Sequence, residues 1–282
     1  MNSNFIKRSI TGLLFVILLV GCILYSPTSF IILFAICSAL TTYELIGLLN
    51  QTGKVCVNKA VTAIASLCLF VSVATFQMGI VQSGIVFTPY LAIVLYLTIS
   101  QLYLKKSNPI GNMAVIMLSQ LYIALNFALI NTLAFFSIQG SSCDYQSILP
   151  LALFVFIWVS DSGAYLVGSS IGKNRLFPRI SPNKSWEGSI GGGLFAILAA
   201  LLIAYIDNQY MEATLSYLQW IGFALVVVFF GTWGDLTESM MKRQLGIKDS
   251  GNILPGHGGF LDRFDSTILA IPAVVIYLFI IL

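Results

Sequence analysis

Nine apolar stretches, each near the length a helix needs to cross a bilayer, run through this 282-residue chain. They lie at about 9–26, 28–48, 60–82, 85–104, 112–138, 147–171, 187–206, 215–237 and 266–282. A bilayer core takes about 20 residues of helix, whereas a barrel strand takes about 10 residues that alternate in polarity. Backbone in lipid must satisfy its own hydrogen bonds, so stretches of this length are expected as helices. Composition agrees: 58% of residues are hydrophobic and 9% charged, against roughly 25% charged in a soluble domain. The expected fold is an all-α integral membrane protein of about nine transmembrane helices, with a polar loop region at one membrane face.

The basic residues test that count. Nine spans put the N-terminus and the loops after spans 2, 4, 6 and 8 on one side, and those segments hold all 14 Lys and Arg residues. The other side holds only acids, Asp144, Asp207 and Glu212. By the positive-inside rule the basic side is cytoplasmic, with the N-terminus inside and the C-terminus on the opposite side. Lys7-Arg8, an apolar run and then Leu19 to Cys22 resemble a lipoprotein signal, but the run continues to Tyr25, and it reads as an uncleaved first span. The five cysteines are scattered with no CxxC pair, which suits packing rather than metal binding.

Charge divides the chain into two expected parts. Residues 1–146 hold eight of the 25 charges and no polar motif, and read as a scaffold of about five spans. Residues 147–282 hold the rest and read as a catalytic membrane domain of about four spans. Seven charges crowd into Ser239–Asp265 alone, between two apolar stretches, where charge marks function by default.

Three polar clusters are expected at the cytoplasmic face. In the first, Asp161, Tyr165 and Gly168 share one helix face at i, i+4, i+7, with Asp161 about 15 Å above the cytoplasmic end of span 6. Asp161 either pairs with a Lys or Arg or binds metal or substrate. In the second, Ile180 to Gly193, Lys184 and Ser185 stand at a helix start, where free N–H groups favour anions. Gly191–Gly193 suit helix packing before ligand binding. In the third, Asp235, Glu238, Ser239 and Lys242 share one face at the end of span 8. A glycine-rich loop follows, ending at Asp262, Arg263 and Asp265 just before span 9, and it is short enough to bring Asp262 back beside Asp235. Hard carboxylates without a Cys or His cluster suit Mg²⁺, which binds through one or two carboxylates plus substrate phosphates. Nearby Lys and Arg would balance those phosphates, so a nucleotide is the expected substrate. His257 is the single histidine, and its setting between glycines leaves a structural role and a phosphate contact both open.

Ser239, Lys242-Arg243, Lys248-Asp249, Gly251, Leu254-Pro255, His257-Gly258-Gly259, Asp262-Arg263 and Asp265, at their spacing, resemble the signature of the phosphatidate cytidylyltransferase (CDP-diacylglycerol synthase) family without a departure. The segments Gly234–Ser239, Asp161–Tyr165 and Ser181–Gly188 also look like that family's, so the resemblance covers roughly residues 155–265.

The resemblance implies an enzyme that turns CTP and phosphatidic acid into CDP-diacylglycerol and pyrophosphate, in a bacterial inner membrane. It implies Mg²⁺, alone or with a second cation, and a protein that is often a homodimer. Asp235, Asp262, Lys242 and Arg263 are then the catalytic candidates. Lys184, Ser185, Ser239, Arg243, Lys248, His257, Gly258 and Gly259 are the substrate-binding candidates, and Glu238, Asp265 and Asp161 join Asp235 and Asp262 as metal candidates. Partners are CTP, phosphatidic acid and the bilayer, with no nucleic acid. A CTP-dependent lipid kinase, releasing CDP, is the rival enzyme. A transporter is the rival from another class, but it would place acids near the bilayer midplane in repeated broken helices.

Overall fold

The computed structural model describes residues 3–105, 108–136, 145–211, 214–251 and 258–282, with side chains from residue 11 onward. It is an all-α membrane protein with one small hairpin. Among the described residues, seven helices are long and apolar enough to cross a bilayer, and two shorter apolar ones, Thr11–Tyr25 and Gly84–Ser100, match the first and fourth expected spans. The chain forms two compact units.

The first unit comprises Met1–Ser137, Ser142–Ser147 and Gln244–Phe264. Its helices are α1 (Ser3–Tyr25), α2 (Pro27–Gln51), α3 (Lys59–Gln77), α4 (Thr88–Ser100), α5 (Pro109–Ser119) and α6 (Leu125–Ala134), the last two joined through a π-helical turn at Gln120–Ala124. α1 and α2 are separate helices because Ser26 adopts an extended backbone and caps α2 through a reciprocal pair with Ser29. Pro27 follows at the first helical position, where its missing N–H costs nothing. With no water to drive association in lipid, polar side chains and close packing hold such helices together. Here Thr42 bonds Ser66 at 2.8 Å, Gln120 donates to the Thr62 carbonyl at 3.3 Å, and Asn112 donates to Gln101 at 2.7 Å. Phe264 is buried in this unit, with its ring centroid 5.1 Å from that of Phe127 and 6.5 Å from that of Phe34.

The second unit comprises Ile138–Ser141, Ile148–Arg243 and Asp265–Leu282. It holds α7 (Ile148–Ile171), the antiparallel hairpin β1 (Arg175–Phe177) and β2 (Ser181–Ser185), α8 (Trp186–Tyr210), α9 (Tyr217–Gln244) and most of α10 (Leu261–Ile281). Glycines set the α7–α8 distance. A Cβ on Gly192 would lie 2.6 Å from the Ser160 carbonyl oxygen, and one on Gly188 would lie 2.9 Å from that of Ala164. α9 and α10 approach in the same way, since a Cβ on Gly234 would lie 2.6 Å from the Asp265 carbonyl oxygen. Phe156 of α7 stacks edge-on to Phe223 of α9 at 5.7 Å. Ile190, Leu194, Leu198 and Leu202 form an exposed apolar stripe on α8, the face such a helix turns to lipid.

Two local expectations change. The segment before α8 is a hairpin rather than a loop, and its Ser185 caps α8 by accepting from the Gly188 N–H at 3.1 Å. α10 begins at Leu261 rather than near 266, so Asp262, Arg263 and Asp265 are helical. An acid in the first turn favours a helix start, because free N–H groups and the dipole stabilise it.

Candidate functional site

In the second unit, a cavity of about 640 Å³ opens between α7, the hairpin and α8. Asp161, Tyr165 and Gly168 line it together, as their spacing predicts, and Arg175, Asn183, Lys184, Ser185 and Ser189 line it from the other side. The hairpin is held in place by Glu187 in the first turn of α8. Its carboxylate accepts from the backbone N–H groups of Lys173 and Asn174, each at 3.2 Å, and from the Asn174 amide at 2.7 Å. Gly191 and Gly192 serve α7–α8 packing, whereas a Cβ on Gly193 would meet open space.

Lys184 forms an ion pair with Asp235 of α9, and both side chains are about a quarter exposed, at 28% and 27%. Ser239, one turn on, donates to Asp235 Oδ1 at 3.1 Å. Glu238 is fully buried and pairs with Lys242 at 2.6 Å. Asp161 lies close enough to feel the charges of Lys184 and Asp235, and Asp265 those of Asp235, Asp161 and Lys242. The second unit therefore holds four acids and two lysines, of which Asp161 and Lys184 line the cavity, Asp235 pairs with Lys184, and Glu238 pairs with Lys242. Arg243 is exposed at the end of α9.

Ser250, Gly258, Gly259, Asp262 and Arg263 belong to the first unit. There Asp262 Oδ2 accepts three hydrogen bonds, from Ser250 N at 2.8 Å, Ser250 Oγ at 2.9 Å and Gly259 N at 2.9 Å. Gly258 has φ +78°, the left-handed region that favours glycine, and a Cβ there would also approach Asp262 Oδ2 at 2.5 Å. Lys248 and Arg263 are exposed. His257, with Leu254 and Pro255, lies outside the described residues, as do Lys106, Asp144 and Glu212.

The sequence profile of the cytidylyltransferase family matches residues 6–281. The chain belongs to that family. A phosphatidate cytidylyltransferase of Bacillus subtilis is 50% identical over 118 residues, 42% of this chain and 42% of that protein. One of Haemophilus influenzae is 44% identical over 124 residues, 44% of this chain and 43% of that protein. One of Staphylococcus aureus is 45% identical over 128 residues, 45% of this chain and 48% of that protein. The chain thus matches less than half the length of each of these relatives.

The donor chemistry of this cytidylyltransferase-family site can be set against a metal. Among the described residues, no group of three or more His, Cys, Asp or Glu side chains forms a cage for an ion. A hard cation that keeps its waters needs only one or two protein carboxylates plus substrate phosphates. Asp235 within the second unit and Asp262 within the first each accept from a serine hydroxyl.

Sequence reasoning passed over one residue of this set. Glu44, the single charged residue of α2, reaches Ser250 and Leu261 within the first unit. Its only sequence signal is an acid inside an apolar span, with no motif around it.

Proposed function

We propose that the protein is a phosphatidate cytidylyltransferase, joining CTP to phosphatidic acid to give CDP-diacylglycerol and pyrophosphate. One observation carries the reading beyond family membership. The polar cavity beside Lys184 and Asp161 shares the wall residues Ser189, Val228 and Thr232 with an apolar groove of about 630 Å³ between α8 and α9. Trp186, Ile190, Leu194, Phe229 and Trp233 line that groove. A charged pocket joined sideways to an oily one is what an amphiphilic phosphate needs. Its acyl chains stay among apolar side chains while its headgroup meets cations.

A phosphate monoester is largely dianionic at pH 7, because its second pKa is about 6. One of its oxygens attacks the α-phosphorus of CTP, a new P–O bond forms, and the bond to the β-phosphate bridging oxygen breaks, releasing pyrophosphate. No strong general base is required, so the protein's work is positioning and charge neutralisation. Lys184, held against Asp235, is ready to exchange part of that pairing for a phosphate oxygen. The Glu238–Lys242 pair fixes a second ammonium on α9, and Arg243, Lys248 and Arg263 are the further phosphate-binding candidates. The carboxylates proposed for Mg²⁺ are Asp235, with Asp161, Glu238 and Asp265, in the second unit, and Asp262 in the first; a bound ion would neutralise charge on the leaving pyrophosphate. The all-or-none placement of Lys and Arg supports a cytoplasmic site, where CTP is present, in a bacterial inner membrane.

The test is purified protein in lipid nanodiscs with CTP, phosphatidic acid and Mg²⁺. CDP-diacylglycerol and pyrophosphate are expected, with turnover lost on chelation and restored by Mg²⁺. Release of CDP with a phosphorylated lipid would assign a lipid kinase instead, and no product from wild-type protein would overturn the reading.

A further inference from the structure

Glu44 is 7% exposed on apolar α2, and burying a carboxylate there is costly unless donors meet it. Oε2 is met by two. The Leu261 N–H donates at 2.8 Å and the Ser250 hydroxyl at 3.2 Å. Leu261 opens α10, so the acid from α2 stands at the positive end of another helix. Among the described residues, Oε1 is buried without a hydrogen-bond partner, and it lies against Gly251 and Gly259. A Cβ on either Gly251 or Gly259 would overlap it. Gly251 and Gly259 can therefore both approach this carboxylate only because each lacks a side chain. Ser250 is the node, since its single hydroxyl proton is shared between Glu44 Oε2 at 3.2 Å and Asp262 Oδ2 at 2.9 Å. Glu44 and Asp262 thus grip one serine from two helices, and the Gly259 N–H binds Asp262 as well.

We infer that Glu44 is a positioning residue for the transfer reaction. It anchors Ser250 and the start of α10 so that the Asp262 carboxylate is presented in one orientation. A carboxylate that places a reacting group lowers turnover when removed, and leaves alone the binding of a lipid it never touches. This inference rests on the proposed cytidylyltransferase reading, so its test carries a readout that does not depend on activity.

The full chain in nanodiscs serves both readouts. The first is trypsin cleavage after exposed Lys248, two residues before the anchored serine, with exposed Lys54 on the α2–α3 connection as the control in the same unit. Glu44→Gln keeps the size of the side chain but loses its charge and one acceptor. It should raise cleavage after Lys248 about threefold or more and leave cleavage after Lys54 unchanged, as expected for a weakened charge-assisted anchor. The second readout is steady-state kinetics. Here kcat should fall about tenfold, with KM for phosphatidic acid held within about twofold. Ser250→Ala should act in the same direction, and combining it with Glu44→Gln should cost less than the product of the two, because both cut one anchor. Wild-type cleavage after Lys248 and wild-type kcat in Glu44→Gln would overturn the inference. So would cleavage that rises equally at Lys54 and Lys248, which would make Glu44 a general packing residue. If wild-type protein forms no CDP-diacylglycerol, the transfer reading falls, while the Lys248 cleavage still decides whether Glu44 holds the segment.

Discussion

Replacing Lys184 by Met separates what this residue does for substrate from what it does for the fold. Met keeps most of the aliphatic stem and removes the ammonium. The structural cost is small, because the Lys184–Asp235 pair is about a quarter exposed on both sides and an ion pair of that kind contributes about 0–1 kcal/mol. Asp235 is not stranded, since it keeps the Ser239 hydroxyl and access to water. The functional cost is larger. A hydrogen bond from a charged group to a phosphate contributes about 1.5–3 kcal/mol, which is about 10–150-fold in rate. The expected outcome of Lys184→Met is therefore kcat/KM for CTP lowered about 10–150-fold, with a midpoint of thermal unfolding lowered by no more than about 4 °C. Lys184→Arg should recover part of the loss, because it restores charge with a different geometry. The assay is product formation in nanodiscs beside thermal unfolding of the same samples. Activity within about threefold of wild type, or a fall in unfolding midpoint beyond about 10 °C, would refute the reasoning, since either would contradict the ranking of the two energies.

Two further predictions concern the frame that carries the site. Asp207 is fully buried at the end of α8 and accepts from Thr214 Oγ1, Leu215 N and Trp220 Nε1 at 3.0–3.2 Å. Two of these donors, Leu215 N and Trp220 Nε1, belong to buried residues; each left unsatisfied costs about 1–3 kcal/mol, so Asp207→Ala should destabilise the protein by about 2–6 kcal/mol, read as loss of thermal stability in detergent. Asp207→Asn, which keeps an acceptor oxygen, should lose less. Gly192→Leu should force α7 and α8 apart, costing about 1–3 kcal/mol or more and lowering activity, because Asp161 and Lys184 sit on opposite walls of the cavity those helices bound. Gly193→Ala, one residue on, faces open space and should leave stability measurably unchanged.

How far each site residue could be read beforehand follows the range of the physics involved. Asp161, Tyr165 and Gly168 line one cavity, and Ser239 bonds Asp235 one turn away, because the helical period is local and visible in spacing. The hairpin at Arg175–Phe177 and Ser181–Ser185 was not legible. Its strands are short and lack alternation, and it is tied down by Glu187 from the following helix. The early start of α10 was hidden too. Asp262 and Arg263 look like loop residues until Glu44, some 217 positions away in the chain, meets the Leu261 N–H. Glu44 itself carried no motif, and nothing near it in sequence says what an acid in α2 would reach.

By itself, then, the sequence determined the class of fold, the segregation of basic residues and the signature that marks the family, because hydrophobic length, charge counts and helical period act over a few residues. Only the tertiary structure decided which elements share a cavity, which glycines admit a neighbouring helix and which lie against a buried acid. Those outcomes depend on contacts between residues far apart in the chain, where a missing Cβ or one well-placed carboxylate has meaning only once its neighbour is known.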